Sequence, residues 1–250
     1  NMGEEESAYT LTLPDGTAQP KSRDFTGQAT AAYPNGDTYE GQFAGGLRHG
    51  KGVYTFKNGD KYTGFFEYNK KSGLGRIDYA KGGFYHGYFV NGNREGEGTF
   101  KYASGDYYSG QWHRGLKHGK GTYVYHTTKQ QLVGEWDSGS LCKGQWVWRG
   151  GPQYIGRFSH NKPAGKGLWV FANGCQVEGT YTQRILPVDN PLLLPKPEKP
   201  PTDEGKEEGE AGEEGEEAAA AAAAAKVKVL TEVKLKWQTD KVATLKPKHP

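Results

Sequence analysis

Rings and glycines alternate with polar residues along most of the chain. In residues 39–43, Glu40 and Gln42 separate Tyr39, Gly41 and Phe43. A period of two is that of a β-strand with one ring-bearing face and one polar face. A second alternating stretch follows a short polar turn, with glycines at 50 and 52 and rings at 54 and 56. The pattern therefore predicts two strands joined as a hairpin.

This two-strand pattern recurs with an almost fixed period. Aligned on the glycine of the first strand, successive units lie 23, 23, 23, 24, 22 and 23 residues apart. The aligned glycines are Gly41, Gly64, Gly87, Gly110, Gly134, Gly156 and Gly179. Such a period indicates a repeat architecture with one supersecondary element per unit. We number the units 1–7 from their leading positions, which are residues 39, 62, 85, 108, 132, 154 and 177.

Glycine normally weakens a strand, so its regular use needs a physical reason. A ring that lies flat over bare backbone buries both groups without a second sheet. We therefore predict that ring and glycine positions form the scaffold: Tyr39, Gly41, Phe43, Gly50, Gly52, Tyr62, Gly64, Phe66, Tyr85, Gly87, Phe89, Tyr108, Gly110, Trp112, Gly134, Trp136, Tyr154, Gly156 and Phe158. The predicted fold class is all-β, an elongated, twisted antiparallel sheet of successive hairpins that are stable only beside their neighbours.

Composition divides the chain into four parts. Residues 1–24 form an N-terminal segment, and residues 25–181 form the repeat sheet, which begins with a partial unit. Residues 182–201 are a proline-rich linker that we expect to be extended. Residues 202–250 are a low-complexity tail that begins with an acidic stretch favouring disorder. In this tail an alanine run favours a short helix over 217–226, and alternating apolar and basic residues favour a strand over 227–237.

The linker and the tail hold four candidate partner-binding residues. Leu192, Leu193 and Leu194 interrupt the prolines, and Trp237 ends the alternating stretch. A strand in the tail could pair with an open sheet edge, either of this chain or of a partner. The alternatives for the same stretch are a helix, through Leu230, Val233 and Trp237, and disorder until a partner binds.

Charge is distributed unevenly along the chain. The net charge of +3 combines an acidic stretch at 202–217 with 19 Lys and Arg against 10 Asp and Glu in residues 39–181. Basic residues recur near one end of the hairpins, and the candidate binding residues are Arg48, Lys70, Lys71, Arg94 and Lys117. They form either a solvated rim or a basic stripe for an acidic partner or anionic lipid. Nucleic acid is not expected, because the rings are needed for packing.

No pattern in the sequence indicates catalysis, a metal site or a cofactor. His49 and His118 lie three repeats apart, about 29 Å along the predicted sheet, which is too far to share an ion. Cys142 has Lys143 beside it but no placed base, so a nucleophile is not indicated. Two cysteines make no disulfide framework, which favours reduced thiols in the cytosol. No apolar run approaches the roughly 20 residues of a membrane span.

The units resemble MORN repeats. The residues that carry the likeness are the Tyr-x-Gly-x-aromatic stretch and the His-Gly-x-Gly stretch after it, both complete in units 1 and 4. The order of the units is similar to that in the MORN proteins of the radial spoke head. So are Asn58 and Gly59 at the first repeat boundary, and Gly174, Cys175 and Gln176 near the end of the array. The resemblance covers roughly residues 27–181.

This resemblance implies a structural, non-enzymatic role in the axoneme of a cilium or flagellum. The implied partners are other spoke-head subunits, a second MORN protein or a second copy of the chain, and the surface of the central apparatus. The implied location is the cytoskeleton, in the cytoplasm of the cilium. The alternative is a MORN module that binds anionic membrane lipids such as phosphoinositides and tethers a partner to a membrane.

Overall fold

The described part of the chain consists of β-strands and the turns between them. The structure, a computed structural model, describes residues 9–187 and 231–244. These residues form one sheet of 17 antiparallel strands. The predicted all-β fold of successive hairpins is therefore confirmed.

Apart from the first two, the strands follow one another across the sheet in chain order. Their bounds are β1 Thr10–Thr12, β2 Ala18–Gln19, β3 Gly27–Ala32, β4 Thr38–Ala44, β5 Leu47–Thr55, β6 Lys61–Glu67, β7 Lys70–Asp78, β8 Phe84–Val90, β9 Asn93–Lys101, β10 Tyr107–His113, β11 Leu116–Val124, β12 Gln131–Asp137, β13 Ser140–Val147, β14 Gln153–Ser159, β15 Lys162–Val170, β16 Cys175–Pro187 and β17 Thr231–Thr244. From β3 onward each strand pairs with the next. At the start, β1 lies between β2 and β3. The sheet is open, with β2 at one edge and β17 at the other.

Two kinds of turn alternate along the sheet. Within a unit, a two-residue turn joins the two strands, and both of its residues have positive φ, as in Tyr68 (47°) and Asn69 (67°). Positive φ at both positions is typical of the type I′ turn, whose twist matches that of antiparallel strands. Between units the turn is longer, as around Gly59 with φ of 89°. All two-residue turns lie at one end of the strands, the short-turn end, and the longer turns lie at the long-turn end.

One face of the sheet, the inner face, carries the core. The buried rings there are Tyr39, Phe43, Tyr62, Phe66, Tyr85, Phe89, Tyr108, Trp112, Trp136, Tyr154 and Phe158. The Tyr39 ring covers two glycines, because a Cβ atom on Gly52 would lie 2.4 Å from the ring and one on Gly41 2.5 Å from its hydroxyl. The leading tyrosines of units 2, 3, 4 and 6 cover equivalent pairs. No side chain fits beneath these rings, so close packing requires the glycines.

The buried rings also contact one another from unit to unit. Tyr62 lies edge-on to Phe66 of its own unit and to Phe89 of the next, with centroid distances of 5.1 and 5.2 Å. The leading tyrosines of units 1, 3 and 4 make the same two contacts. Such pairs contribute about 0.5–1.5 kcal/mol each beyond the area they bury. Neighbouring units therefore stabilise each other, as in other repeat proteins.

Unit 5 departs from this arrangement. Leu132 replaces the leading tyrosine, and a fully buried Leu141 lies opposite the second ring. In unit 1 the second strand has a bulge that contains Gly50, whose φ is 63°. The corresponding bulge of unit 5 is one residue shorter, and Cys142 is its one unpaired residue. The additional residue of unit 4 lies in its longer turn, where Lys129 has φ of 58°. The 24- and 22-residue spacings thus arise from a longer turn and a lost bulge residue.

The sheet extends beyond the predicted boundaries at both ends. β1 and β2 lie within residues 1–24, where the sequence predicted no strand, and Leu11 of β1 is fully buried. β16 continues to Pro187, past the predicted end at residue 181, and β17 pairs with it along its length. The strand predicted over 227–237 is described over Thr231–Thr244. The leucines at 192–194 and the helix predicted over 217–226 lie outside the described residues.

Candidate interaction surfaces

Beside the buried rings, the inner face carries a second row of rings that are only half-buried. They lie toward the long-turn end: Tyr33, Tyr54, Phe56, Tyr79, Phe100, Tyr102, Tyr123, Tyr125, Trp146, Trp148 and Trp169. Neighbours within the row touch, since the Phe100 and Tyr102 centroids lie 4.5 Å apart and those of Trp146 and Trp148 lie 4.1 Å apart. The inner face therefore keeps an aromatic surface that is partly open to solvent.

Basic side chains lie over these rings in units 1–4. They come from one repeated position, opposite the second ring of each hairpin: Arg48, Lys71, Arg94 and Lys117. The Arg48 guanidinium carbon lies 4.8 Å from the Tyr54 ring centre, and the Lys117 ammonium lies 5.2 Å from that of Tyr123. Cation–π contacts of this kind contribute about 0.5–2 kcal/mol. We call the half-buried rings and these four cations the aromatic–basic stripe.

The fifth basic candidate has a different environment. The sequence grouped Lys70 with the four cations of the stripe because all five lie near hairpin ends. In the structure Lys70 is exposed at the start of β7, whereas the four others are half-buried against rings. Lys70 is therefore a surface lysine, whereas the other four candidates form a repeated set of cations packed against rings.

Contacts at the short-turn end hold the cations in place. The Arg48 guanidinium donates to the Asn69 carbonyl over 3.1 Å, and the Arg94 guanidinium donates to the Gly115 carbonyl over 2.8 Å. The backbone carbonyls of all four cations also accept an N–H from the turn of the next unit, at 3.0–3.1 Å. Each unit therefore positions the cation of the unit before it.

Aspartates fix the stripe at the long-turn end. The Asp37 carboxylate accepts the Tyr54 hydroxyl over 2.7 Å and the Lys57 N–H over 2.8 Å. Asp106 accepts the Tyr123 hydroxyl over 2.8 Å. Burial, followed by the hydrogen bond to the carboxylate, raises the pKa of Tyr54 and that of Tyr123. These carboxylates join the turn of one unit to the strand of the next, which is a structural role.

The opposite face of the sheet, the outer face, is mostly polar. Four exposed cations lie close together on β11, β13, β14 and β15: Lys120, Lys143, Arg157 and Lys166. We call them the outer basic row, and Glu135 lies between its first two members. In units 2 and 3 the outer face instead carries Phe65 and Tyr88, which are 42% and 52% exposed.

The tail strand β17 completes the last unit of the sheet. Unit 7 has Val177 where most other units have a tyrosine. Trp237 of β17 covers the glycine of this unit, since a Cβ atom on Gly179 would lie 2.4 Å from the indole ring. The Trp237 and Tyr181 ring centroids lie 4.7 Å apart. Trp237, a predicted partner-binding residue, thus packs on the chain's own sheet.

Groups with catalytic or metal-binding chemistry are sparse. Within residues 9–187 and 231–244, no three His, Cys, Asp or Glu side chains are grouped to hold a metal ion. His113 Nδ1 lies 2.7 Å from Glu95 Oε1, and His118 Nδ1 lies 3.4 Å from an Asp137 oxygen. The N–H of Arg114, and secondly His113, lower the pKa of Glu95. The same two ranges contain no helix that could cross a membrane.

Sequence reasoning missed two features of these surfaces. The first is the cluster of Trp146, Trp148 and Trp169, for which their place in the second strands of units 5 and 6 was the available signal. The contact of His113 with Glu95 joins consecutive units, and the alignment alone did not indicate it. Both features depend on how neighbouring hairpins pair.

The repeats match a known family model. The model of the MORN repeat matches residues 39–61, 62–84, 85–107, 108–127 and 154–176, so the chain contains five MORN repeats. The gap between the fourth and fifth matches, residues 128–153, holds the whole of the degenerate unit 5. MORN repeats indicate a repeat-based module that binds proteins or membranes. No curated protein sequence matches the chain significantly.

Several solved structures are weakly similar to the sheet. The G-box domain of the microcephaly protein CPAP has a TM-score of 0.41 and 11% identity, over 68% of this chain and 91% of that one. The TCP domain of Drosophila melanogaster SAS-4, in complex with a proline-rich motif of Ana2, has a TM-score of 0.31 and 13% identity, over 70% and 85%. A mutant TCP10 domain of Danio rerio CPAP has a TM-score of 0.26 and 14% identity, over 68% and 86%. Similarity this weak does not inform function.

Proposed function

We propose that this chain of MORN repeats is a structural, non-enzymatic subunit of the radial spoke head of motile cilia and flagella. The order of its units and the residues at the end of the array resemble the MORN proteins of that assembly. In this role the sheet is a scaffold on which other spoke-head subunits assemble, and it supports the control of ciliary bending.

The aromatic–basic stripe is the observation that carries the proposal. Tyr, Trp and Arg dominate the binding energy of protein interfaces, and the stripe presents these residue types over several consecutive units. Its side chains are already fixed: the Tyr54 hydroxyl is bonded to Asp37, and the Arg48 guanidinium to the Asn69 carbonyl. Little side-chain entropy remains to be lost when a partner binds.

The chemistry of the stripe defines the partner surface that fits it. The rings offer apolar contact area, and the repeat region has an excess of positive charge. A partner surface with apolar or aromatic groups flanked by carboxylates is therefore complementary. Cations held at one repeat spacing also favour a partner that extends along several units.

Affinity purification from ciliated cells tests this proposal. The tagged chain should recover spoke-head subunits. A variant with Phe56, Tyr125 and Phe171 changed to Ser should lose them, because these rings lie in or beside the stripe near the ends of their strands. The matched control changes the exposed outer-face rings Phe65, Tyr88 and Tyr107 to Ser and should keep the partners.

Two results would contradict the proposal. One is recovery of no spoke-head subunit by the unmodified chain. The other is equal recovery by the stripe variant and its outer-face control, which would show that the stripe is not the contact surface. Far-ultraviolet circular dichroism of the purified variants checks that both sets of substitutions leave the sheet folded.

The outer basic row favours membrane binding as a second candidate function. Four exposed cations on the outer face are not covered by rings, unlike the cations of the stripe. Each cation near an anionic leaflet contributes about 1 kcal/mol, an attraction that salt screens. Under this function the outer face, and not the inner face, contacts its target.

Sedimentation with vesicles separates the two candidates. Phosphatidylserine or phosphoinositide vesicles should pellet the unmodified chain at low salt, and changing Lys143, Arg157 and Lys166 to Glu should abolish pelleting. The stripe variant should pellet normally. If the unmodified chain stays in the supernatant at low salt, the membrane function is excluded and the protein-scaffold function is unaffected.

A further inference from the structure

We propose that β17 is an exchangeable strand. The edge of β16 that it covers would equally accept β17 of a second copy, so that two chains join by reciprocal strand exchange. The proposal concerns the end of the sheet and is independent of the spoke-head assignment.

The last hairpin differs from the others in the connection between its two strands. In units 1–6 a two-residue turn connects the two strands. In unit 7 the first strand is β16, and its partner β17 begins only after residues 188–230. The paired ends of the two strands, Pro187 and Thr231, are nevertheless directly opposite each other. β17 is thus the missing second strand of the last unit, supplied from a distant part of the chain.

β16 offers a binding site with a defined anchor. Its register with β17 spans residues 175–187, with one irregularity between Glu178 and Gly179. The indole ring of Trp237 covers Gly179 and contacts Tyr181 at 4.7 Å. The Thr180 hydroxyl donates to the Asp240 carboxylate over 3.2 Å. Main-chain pairing with one aromatic anchor is the usual chemistry of strand addition to a sheet edge.

The connection between the strands does not confine β17 to its own sheet. Closing a loop of 43 residues is on the order of 100-fold less favourable than closing one of two residues. At full extension the same 43 residues could span about 150 Å. The edge of a neighbouring copy is therefore within reach, and the advantage of the chain's own edge is small. A high local concentration, as in an assembly, favours exchange by mass action.

β17 is also weakly held compared with the strands of the units. Of the β17 side chains that the structure describes, Trp237 is half-buried and the rest are exposed, including Leu235 at 37% and Val242 at 60%. Segments with few buried apolar contacts open locally at low cost. Release of β17 would uncover Gly179 and the β16 edge without opening units 1–6.

Cross-linking between full-length chains tests exchange directly. Thr180 and Gln238 are paired across β16 and β17, so Thr180→Cys in one chain and Gln238→Cys in another report contact between copies. The native Cys142 and Cys175 are first changed to Ser. Mixed at high concentration and treated with a short bismaleimide, the two chains should form a covalent heterodimer. An excess of the synthetic peptide 231–244 should block its formation.

Three matched variants complete the experiment. A single chain with both Thr180→Cys and Gln238→Cys should cross-link internally. Its yield measures how often β17 pairs with β16 of the same chain. A Lys61→Cys chain replaces the Thr180→Cys chain to measure random collisions, because Lys61 lies far from this edge in the strand order. Trp237→Ala in the Gln238→Cys chain should lower the heterodimer yield about tenfold, since it removes the aromatic anchor.

Two outcomes would overturn the proposal. In the first, the mixture forms no more heterodimer than the Lys61→Cys control, while the double variant cross-links within its own chain. This result would show that β17 stays on its own sheet. In the second, heterodimer forms equally well with Trp237→Ala, so that the contact is not the pairing of β17 with β16.

Discussion

The first four units and the fifth unit bury the same face of the sheet with different side chains. In unit 3, which represents the first four, the Tyr85 ring covers Gly87 and Gly98, and the Arg94 guanidinium lies 5.6 Å from that ring. In unit 5 the two equivalent positions hold Leu132 and Leu141, both almost fully buried. The hydrogen-bonded pairing of the strands continues through unit 5 without a break.

This difference distinguishes two contributions to the fold that occur together in the regular units: strand pairing and ring packing. Backbone pairing and hairpin turns continue through unit 5, so they define the fold whether or not a tyrosine is present. The ring, its glycine pair and its cation add packing energy and form the half-exposed surface. Unit 5 replaces them with aliphatic packing and with the Trp146 and Trp148 pair. The interaction surface therefore changes character along the sheet, from rings with cations to rings alone.

High pH should weaken the tyrosine-bearing units strongly. Burial raises the pKa of Tyr39 and of Tyr154 to about 12, and it also raises those of Tyr62, Tyr85 and Tyr108. The unfolded chain loses these protons near pH 10 while the folded chain retains them, so stability is complete below pH 10 and falls between pH 10 and 12. The loss should be about 1 kcal/mol per tyrosine, or about 5 kcal/mol from these five tyrosines, at pH 11.

Urea unfolding between pH 8 and 11.5 measures this decline. Tyr85→Phe should reduce the loss at pH 11 by about 1 kcal/mol, because this buried phenol no longer titrates. Tyr88→Phe is the control on the same strand, where the ring is 52% exposed, and it should leave the slope unchanged. A decline that Tyr85→Phe does not reduce would show that the buried phenols do not set the alkaline limit.

A methyl group beneath a tyrosine ring should be the most damaging small substitution. A Cβ atom on Gly98 would lie 2.4 Å from the Tyr85 hydroxyl and 2.7 Å from its ring, so Gly98→Ala should cost about 3 kcal/mol of unfolding free energy by overpacking. Gly92→Ala is the matched control, in a turn with φ of 90° and no atom within 4 Å. It should cost about 1 kcal/mol from backbone strain alone. Equal losses would contradict the role of the ring.

The repeat pattern predicted most of the fold because its information is local. The period of 23 residues, the alternation of rings and glycines, and the antiparallel hairpins all follow from neighbouring residues. β1 and β2 were missed because they have only three and two residues and carry no ring–glycine pattern. The position of Trp237 depends on the pairing of β17 with β16, which lies about 60 residues earlier in the chain. No local sequence pattern specifies that β16 is the partner strand.

The interaction surfaces were predicted less completely, and the reason is geometric. Arg48, Lys71, Arg94 and Lys117 were recognised as a repeated basic set, but their position near a turn indicated exposure. In the structure the residue opposite the second ring faces inward, because the bulge adds two residues and leaves the alternation of the strand in phase, so that Arg48 shares a face with Gly52 and Tyr54. The period of two was therefore sufficient to place these cations on the ring-bearing face, and only their position near a turn suggested otherwise.

Restoring a tyrosine in unit 5 should stabilise it. In this unit the atoms nearest to a Cβ on Gly134 or Gly144 belong to the backbone, and no leading ring covers the pair. Leu132→Tyr should add about 1 kcal/mol through edge-to-face contact with Trp136. Hydrogen exchange of the β12 and β13 amides measures the local effect, with Leu132→Phe as the control that lacks the hydroxyl. Faster exchange in Leu132→Tyr would show that unit 5 is built for the aliphatic side chain.

The smallest expected effect comes from two hydroxyl groups in equivalent positions. The Tyr62 hydroxyl donates to the Phe65 carbonyl over 2.9 Å, whereas the buried Tyr154 hydroxyl has no hydrogen-bond partner among the described residues. Tyr62→Phe should therefore cost about 1 kcal/mol, and Tyr154→Phe should be neutral or slightly stabilising. Urea unfolding at pH 7 compares the two. A clear loss in Tyr154→Phe would mean that this hydroxyl is satisfied in solution, so that units 2 and 6 bind their leading tyrosines in the same way.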